Sequence, residues 1–503
     1  MTLLGVVGGG LMVAAVGLAI YDYLQPRHAV LRNFPLIGRG RYLLEDLGVY
    51  LRQYLYLNDR EEMPFNRMTR SRVYRAAKAL PDVVGFGSQH DLQRAGAIIL
   101  VNAPFAVLEE ERQKPPPLVI GPGCAKPMAP AHIFNISAMS FGALSGAAIR
   151  ALSAGAAQAG IWLNTGEGGL SPHHLHGGAD LIFQIGTAKY GVRDQRGKLD
   201  LQRIKQLAQT VKAFEIKLSQ GAKPGKGGIL PAAKVTAEIA AIRGIPQGQS
   251  SISPNRHEDI ANVDELLDMI NRVRDGGGLP VGCKLVLSDD HFLFELAEAI
   301  HRRGLACAPD FMTIDGGDGG TGAAPEALAD YVGLPLLGAL PMAVNALMVC
   351  GLKERIRLIA SGKLVTSERV AWAIAMGADF AQSARGFMFA LGCIQSLRCH
   401  TDRCPTGVTT HNRHRQRGLV VEDKARRVAN YATHINQELD ILAHSCGLRH
   451  AREFRREHIR LIQLDWRSLS MADVWPYPAA AYPAATDQML EGSALPPRLQ
   501  SGP

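Results

Sequence analysis

Phe311-Met312-Thr313-Ile314-Asp315-Gly316-Gly317-Asp318-Gly319-Gly320-Thr321-Gly322 is the stretch on which the reading of this chain turns. Its first five residues predict a short buried strand. The glycine-rich run behind them is backbone free to pass close to a ligand. The same grammar recurs along the chain. Asn164-Thr165-Gly166-Glu167-Gly168-Gly169 follows a second apolar run, and Lys217-Leu218-Ser219-Gln220-Gly221-Ala222-Lys223-Pro224-Gly225 a fourth; Ser361-Gly362-Lys363 and Ala384-Arg385-Gly386 follow the seventh and eighth. Strands are expected at Ile133–Met139, Trp162–Gly166, Leu181–Gly186 and Phe214–Leu218, then at Val281–Leu287, Phe311–Asp315, Arg357–Ser361 and Phe380–Ser383. Helical spacing fills many of the gaps. Leu201, Ile204, Leu207 and Val211 share one face, and Val263, Leu266, Leu267, Ile270 and Val273 another, behind an Asn262…Glu265 capping box. Eight strands alternating with crossovers fit an α/β fold of the (β/α)8 TIM barrel type better than an open sheet. The chemistry of such barrels gathers at the C-terminal ends of the strands.

The chain has 503 residues, 47% hydrophobic and 20% charged, which excludes a fibrous or globally disordered protein. The net charge of +9 is largely local: Arg27 to Lys78 holds 11 Lys/Arg against 5 Asp/Glu. With 6% aromatics and no nucleic-acid motif, this surplus does not predict a nucleic-acid partner. It follows Leu3–Ile20, an almost wholly apolar run that as a helix would span ~27 Å, near the hydrocarbon thickness of a bilayer. No Lys or Arg precedes the run, as a cleaved signal would want, whereas Arg27, Arg32, Arg39 and Arg41 follow it. The expectation is a single-pass anchor in the inner (cytoplasmic) membrane with the body in the cytoplasm. The organisation expected is a transmembrane anchor over 1–24, a basic, mostly helical segment over 25–125, the barrel over 126–410, a helical extension over 411–470 and an irregular Pro/Ala-rich tail over 471–503.

Two turns, Ser361-Gly362-Lys363 and Ala384-Arg385-Gly386, sit where barrels commonly bind phosphate through backbone N–H groups. Together they point to a flavin mononucleotide. Lys217 ends a strand that reads as buried, where an ammonium needs a compensating charge, from a flavin or from a barrel carboxylate. Lys223 and Arg243 are candidates for gripping a dicarboxylate. Of eight cysteines, those at 124, 283, 307, 350 and 446 read as core residues. Cys393, Cys399 and Cys404 are bunched. Three thiolates without a close fourth cysteine suggest a [3Fe-4S] cluster; zinc with His400, or unliganded thiols, are the other readings.

At these residues the chain from about 125 to 410 resembles the central FMN and synthase domain of glutamate synthase. Gln220-Gly-Ala-Lys-Pro-Gly225 with Gly227-Gly228, the Gly166–Gly169 turn, the Asp315–Pro325 loop and the cysteine spacing stand in that family's order. The resemblance implies amination of 2-oxoglutarate to an imine that reduced FMN then reduces to L-glutamate. It implies Lys217, Gln220 and Glu167 as catalytic, with Glu167 on the loop where ammonia arrives, and Lys223 and Arg243 as ligands of the substrate carboxylates. The implied flavin set is Ser140, Lys217 and Asp315–Gly317, together with Ser361, Gly362 and Ala384–Gly386. Cys393, Cys399 and Cys404 would hold the [3Fe-4S] cluster. Lys226 and Ile229 depart from the family's Glu and Gln, which keeps an amine-using relative of the N-methylglutamate synthase type in view, beside a membrane-tethered FMN and iron–sulfur electron-transfer subunit. A 2-hydroxy-acid dehydrogenase has no place for the cysteines. Residue 2 is Thr rather than the family's nucleophilic N-terminal Cys, so nitrogen is expected as ammonia, an amine or the product of a separate glutaminase subunit. With no nicotinamide motif, electrons are expected from ferredoxin or a flavoprotein reductase subunit.

Overall fold

A computed structural model describes residues 3–479, in two compact units, one ending at Ser71 and one beginning at Arg72. In the first unit, helix α1 (Leu3–Leu24) is followed by a short helix α2 (Ala29–Asn33) and by α3 (Ile37–Leu51), which runs into a π-helical turn at Arg52–Tyr56. The carboxylate of Asp22, near the end of α1, accepts the Leu36 N–H (3.1 Å) and Arg39 Nε (2.9 Å), tying α1 to the start of α3. Gly38 is buried under α2: a Cβ there would lie 3.0 Å from the Val30 carbonyl oxygen.

The second unit is built on a closed barrel of eight parallel strands. In chain order they are Phe134–Ile136, Leu163–Asn164, Leu181–Ile185, Ala213–Lys217, Val281–Leu285, Phe311–Asp315, Arg357–Ser361 and Phe380–Ser383. Each expected strand is present. The first two are cut short because their C-terminal residues leave the ladder for the mouth of the barrel. One end of the barrel is filled by Ile120, Met128, Trp162, Ile182, Ala213, Phe311, Ile359 and Phe380. Residues just ahead of two strands hold charged networks there. Asp310 pairs with Arg274 (3.0 Å) and Arg355 (3.3 Å), and Asp379 pairs with Lys353 (3.0 Å). Polar residues at this face serve stability.

The helix Val263–Gly277 begins at Asn262, whose side chain accepts the Glu265 N–H, but the Glu265 carboxylate accepts the Ala261 N–H rather than that of Asn262, so the expected capping box closes on its N-cap side only. The helix over Leu201–Leu207 stops four residues short of Val211, which packs from the link to the fourth strand rather than from the helix face. Gly155, in the helix Gly146–Ala159, lies against the long helix Val421–Ser445. A Cβ at Gly155 would sit 2.5 Å from both the Ala425 carbonyl oxygen and Val428 Cβ. Gly155→Val is therefore expected to destabilise the protein by about 1–3 kcal/mol, the usual cost of overpacking, and thermal denaturation would read it.

Two expectations about the flanking segments are corrected. Residues 78–125 are not helical: among the described residues they hold one strand, Ile98–Leu100, and a 3-10 turn at Glu109–Glu111. Prolines 81, 104 and 115–117 break helical periodicity there. Nor does the C-terminal extension stay helical to 470. Beyond Ser445 it forms strands Ile459–Ile462 and Ser468–Ser470, and the first of these pairs antiparallel with Ile98–Leu100. The partner lies in the segment before the barrel, beyond the reach of a local pattern. The expected irregular tail opens with a helical turn at Met471–Val474, and from residue 480 it lies outside the described residues.

Candidate active site

Strand register stacks polar side chains inside the barrel in two tiers. In the lower tier Glu215, fully buried on the fourth strand, accepts Asn164 Nδ2 (2.9 Å), Gln184 Nε2 (2.6 Å) and Thr313 Oγ1 (2.7 Å). Above it, the ends of the fourth and fifth strands set Lys217 beside Lys284 in register. Lys284 Nζ pairs with Asp315 (3.1 Å), which also accepts Ser361 Oγ (2.9 Å) and the Gly221 N–H (3.0 Å). Burial works against the Lys284 ammonium, yet Asp315 and Glu215 hold it above the usual lysine range.

Lys217 is committed to the mouth instead. Its Nζ pairs with Glu167 Oε1 (2.7 Å) and donates to Gln220 Oε1 (2.6 Å). The three residues expected to be catalytic thus meet. Burial alone would push the Glu167 carboxyl up; Lys217, Lys223 and Arg243 outweigh it and hold it below the usual carboxylate range. Glu167 Oε2 has no hydrogen-bond partner although buried. Gly228 and Gly186 make room for this side chain, since a Cβ on either would lie within 2.6 Å of a Glu167 carboxylate oxygen. His257, which the sequence reading passed over, closes the back of the site: its Nε2 lies 3.0 Å from the Lys217 carbonyl oxygen. Burial first, then Lys189, brings this imidazole down to about 4, so it is neutral near pH 7.

Lys223 and Arg243 are both buried, and neither is ion-paired to a carboxylate among the described residues. Lys223 Nζ donates to the Ala323 carbonyl (3.2 Å); burial, then the neighbouring Lys217 charge, brings its ammonium down to about 8. Arg243 donates to Ser251 Oγ and to the Phe141 carbonyl oxygen (3.2 Å each), and its Nε has no partner. Its guanidinium lies over the ring of Tyr190 (5.2 Å to the centroid), whose hydroxyl is 2.7 Å from Ser251 Oγ. Burial is the main cause that lowers its pKa.

The expected flavin residues line the same mouth but divide in what they do. Ser140 packs against the second-strand turn: a Cβ on Gly166 would sit 2.7 Å from its backbone nitrogen. The Gly316 and Gly317 N–H groups are already used, on the Ser361 and Leu334 carbonyls. Their role is close backbone packing. A Cβ on Gly221 would lie 2.3 Å from the Gly316 carbonyl oxygen, and Gly362, at φ +132°, lies over Gly316. Arg385 donates to the Asp318 carbonyl (2.8 Å) from the first turn of the helix Arg385–Leu391, with Ala384 as its N-cap. Gly386 is small for another reason: a Cβ would strike the Tyr431 hydroxyl at 2.3 Å. The sequence reading also missed Gln382. It is buried on the eighth strand with neither amide atom hydrogen-bonded. A glutamine directly behind two apolar residues in a fully buried four-residue strand was the available signal.

Cys393, Cys399 and Cys404 follow the helix Arg385–Leu391 on one loop. Tyr74 donates to the Cys393 carbonyl (2.6 Å). Burial would raise the Cys404 thiol, but donors on Thr406 and Thr409 outweigh it and bring it below its ordinary value. Burial raises the Cys399 thiol. Lys234, buried nearby, donates to the Ala143 (2.6 Å) and Cys399 (3.3 Å) carbonyls and forms no ion pair among the described residues. It is another cation that the sequence reading missed.

Against this geometry stand the comparisons. A family described as a conserved region in glutamate synthase matches residues 100–449. The glutamate synthase large subunit-like protein YerD of Bacillus subtilis (strain 168) is 41% identical over 481 residues, covering 88% of this chain and 91% of that one. An archaeal glutamate synthase [NADPH] of Methanocaldococcus jannaschii is 35% identical over 342 residues, covering 67% of this chain and 64% of that protein's length. Among solved structures, mandelate oxidase with benzoyl-formic acid aligns over 78% of this chain and 98% of its own, with a TM-score of 0.44 and 15% identity. The match to the family over most of the chain, with a relative similar along nearly its whole length, means that this chain belongs to the glutamate synthase family.

Proposed function

We propose that the chain is an FMN-dependent oxidoreductase that forms L-glutamate by reductive amination of 2-oxoglutarate. Charge balance at the barrel mouth carries the reading: three buried cations, Lys217, Lys223 and Arg243, face the single carboxylate of Glu167. A buried surplus of positive charge is costly until an anion compensates it. A dicarboxylate supplies the two missing charges, with the Arg243 fork and the Lys223 ammonium on its two ends. Glu167 Oε2, buried without a donor, is the acceptor on which an ammonium or a protonated amine would settle. Held ionised by Lys217, it can take the proton released when nitrogen attacks the substrate carbonyl. Lys217 and Gln220 keep that carboxylate aimed.

The residues present suit FMN. Gln382, on the eighth strand just ahead of the Ala384–Gly386 turn, offers a buried amide with both atoms unsatisfied. FMN supplies hydride transfer, which no side chain of this protein can provide. Ser361, Ala384 and Arg385 would hold its phosphate end. Cys393, Cys399 and Cys404 suit a [3Fe-4S] cluster: they are carried on one loop, and two of them, Cys399 and Cys404, lie near a buried ammonium, Lys234, that anionic ligands would compensate. Ferredoxin or a flavoprotein reductase subunit would supply electrons, and ammonia, an amine or a separate glutaminase subunit the nitrogen. Helix α1, long and apolar enough over Gly5–Leu24 to cross a bilayer, would anchor the body on the cytoplasmic side.

The test is anaerobic. The purified protein, loaded with FMN and photoreduced, is mixed with 2-oxoglutarate and ammonium while flavin absorbance is followed. Reoxidation that requires both additions, with glutamate appearing, is the expected result; a flavin that stays reduced with ammonium and with methylamine overturns it. The reading also fixes a pH dependence. The Lys223 ammonium, at about 8, is charged below that pH and neutral above it. The kcat/KM for 2-oxoglutarate should therefore fall about tenfold per pH unit above ~8, and Lys223→Arg should abolish that limb.

A further inference from the structure

Helix α3 is amphipathic in the reverse sense for a soluble unit. Its buried contact is made through Gly38, against α2, and Gln53 is buried just beyond its end. Its apolar stripe faces outward: Ile37 is 83% exposed, Leu43 60%, Leu44 64% and Leu47 45%, and the line continues past the helix end in Tyr54 (45%) and Leu55 (69%). These residues recur at three- and four-residue spacing, so they fall on one side of the helix. Arg41, Glu45 and Arg52 lie on another, where Arg41 and Glu45 pair at 2.9 Å. A contiguous apolar patch of this kind marks an interaction surface rather than the scattered apolar exposure of an ordinary monomer.

We infer that α3 and the turn after it lie in the membrane–water interface, with this stripe in contact with lipid; the inference rests on the reading of α1 as an anchor. Three observations select a bilayer over a second copy of the chain. Helix α1 is itself exposed, with Leu11, Met12 and Val13 between 68% and 74% exposed, and the buried Asp22 contacts to Leu36 and Arg39 hold α3 to the end of that helix. Tyr21 and Tyr23, exposed at the end of α1, and Tyr54 stand where aromatic residues mark the headgroup level. Exposed Arg27, Arg32 and Arg41 supply the cationic flank that anionic lipid attracts. A helix so placed buries its apolar face about 5–10 Å into the headgroup–acyl boundary. It would hold α1 at a set depth and angle rather than leave it a loose tether.

The test uses the full chain in nanodiscs of phosphatidylcholine and phosphatidylglycerol, with the photocrosslinker p-benzoylphenylalanine replacing one residue at a time. Leu44 and Leu47 report the stripe, Glu45 the opposite face of α3, and Val13 the anchor. The expected result after irradiation is a mass shift of one phospholipid on the peptides carrying positions 44, 47 and 13, and none at 45. Lipid adducts at 13 without any at 44 and 47, or cross-links from 44 and 47 to a second copy, overturn the inference and leave the anchor standing. Equal lipid adducts at 44, 45 and 47 overturn the orientation on which it depends. No lipid adduct at 13 removes the anchor itself, and the inference with it.

Discussion

Arg243→Met is expected to lower kcat/KM for 2-oxoglutarate by about 10²–10³-fold while FMN stays bound, since truncating one partner of a buried charged contact costs roughly 2–5 kcal/mol. The guanidinium is buried, has no carboxylate partner among the described residues and keeps its Nε unpartnered. Ser251 and the Phe141 carbonyl oxygen orient it, and the Tyr190 ring covers one face. None of these carries the compensating negative charge. A methionine of similar length preserves the packing and removes only the fork. The loss should therefore appear in KM before kcat, because binding a carboxylate far from the reacting carbon acts on ground and transition states alike. Retention of the flavin spectrum separates this outcome from collapse of the mouth. A variant with unchanged KM for 2-oxoglutarate would remove Arg243 from the substrate site and, with it, the charge argument for a dicarboxylate. Ser251→Ala should give a smaller loss in the same direction, because the Arg243 fork would lose one of its two orienting partners.

The barrel was legible because each strand is a short apolar run bounded by glycine or a polar turn. Phe311–Asp315, Arg357–Ser361 and Phe380–Ser383 begin and end where their side-chain character changes. The mouth was legible in part for the same reason. Lys217 could be singled out because it ends a strand that reads as buried, and Glu167 through the family resemblance; they lie 2.7 Å apart. What escaped was whatever depends on register or on distant partners. Lys284 sits one strand over from Lys217 and directly beside it, a relation that exists only once the fourth and fifth strands pair. Gln382 became conspicuous only when its amide was found buried without partners. The strand Ile459–Ile462 needed Ile98–Leu100 from before the barrel to make sense of its alternation. The stripe of α3 went unread because its apolar residues, Ile37, Leu43, Leu44 and Leu47, are interspersed in linear order with charged Arg39, Arg41, Glu45 and Asp46. Linear order hides that they separate onto different faces of one helix.

The same logic of register predicts the largest stability effect. Glu215→Leu is expected to destabilise the protein by about 3 kcal/mol or more, because it strands three buried donors at once, each costing roughly 1–3 kcal/mol when left without an acceptor. Asn164, Gln184 and Thr313 come from three different strands and converge on one carboxylate. Removing it leaves their polar atoms in the buried barrel interior facing an apolar side chain that fills the carboxylate's place. Leucine is close in volume, so the penalty cannot be assigned to a cavity. Glu215→Gln sharpens the argument. The amide oxygen can still accept one or two of the donors, but its NH₂ group faces the others, so the Thr313 hydroxyl or the Gln184 amide must turn to accept, while Asn164 Oδ1 is held by the Gly166 N–H. The expected order of stability is wild type, then Gln, then Leu, measured by denaturant titration of the FMN-loaded protein. The loss also has a functional side. Glu215 is, with Asp315 and Glu167, one of the three carboxylates that hold the Lys284 ammonium above its ordinary range, and Lys284 in turn pairs with Asp315 at the mouth. Glu215→Gln should thus loosen the Lys284–Asp315 pair and the Gly221 N–H contact that Asp315 accepts. A Gln variant as stable as wild type, with unchanged turnover, would mean that the three donors find other partners and that the tiers are not coupled.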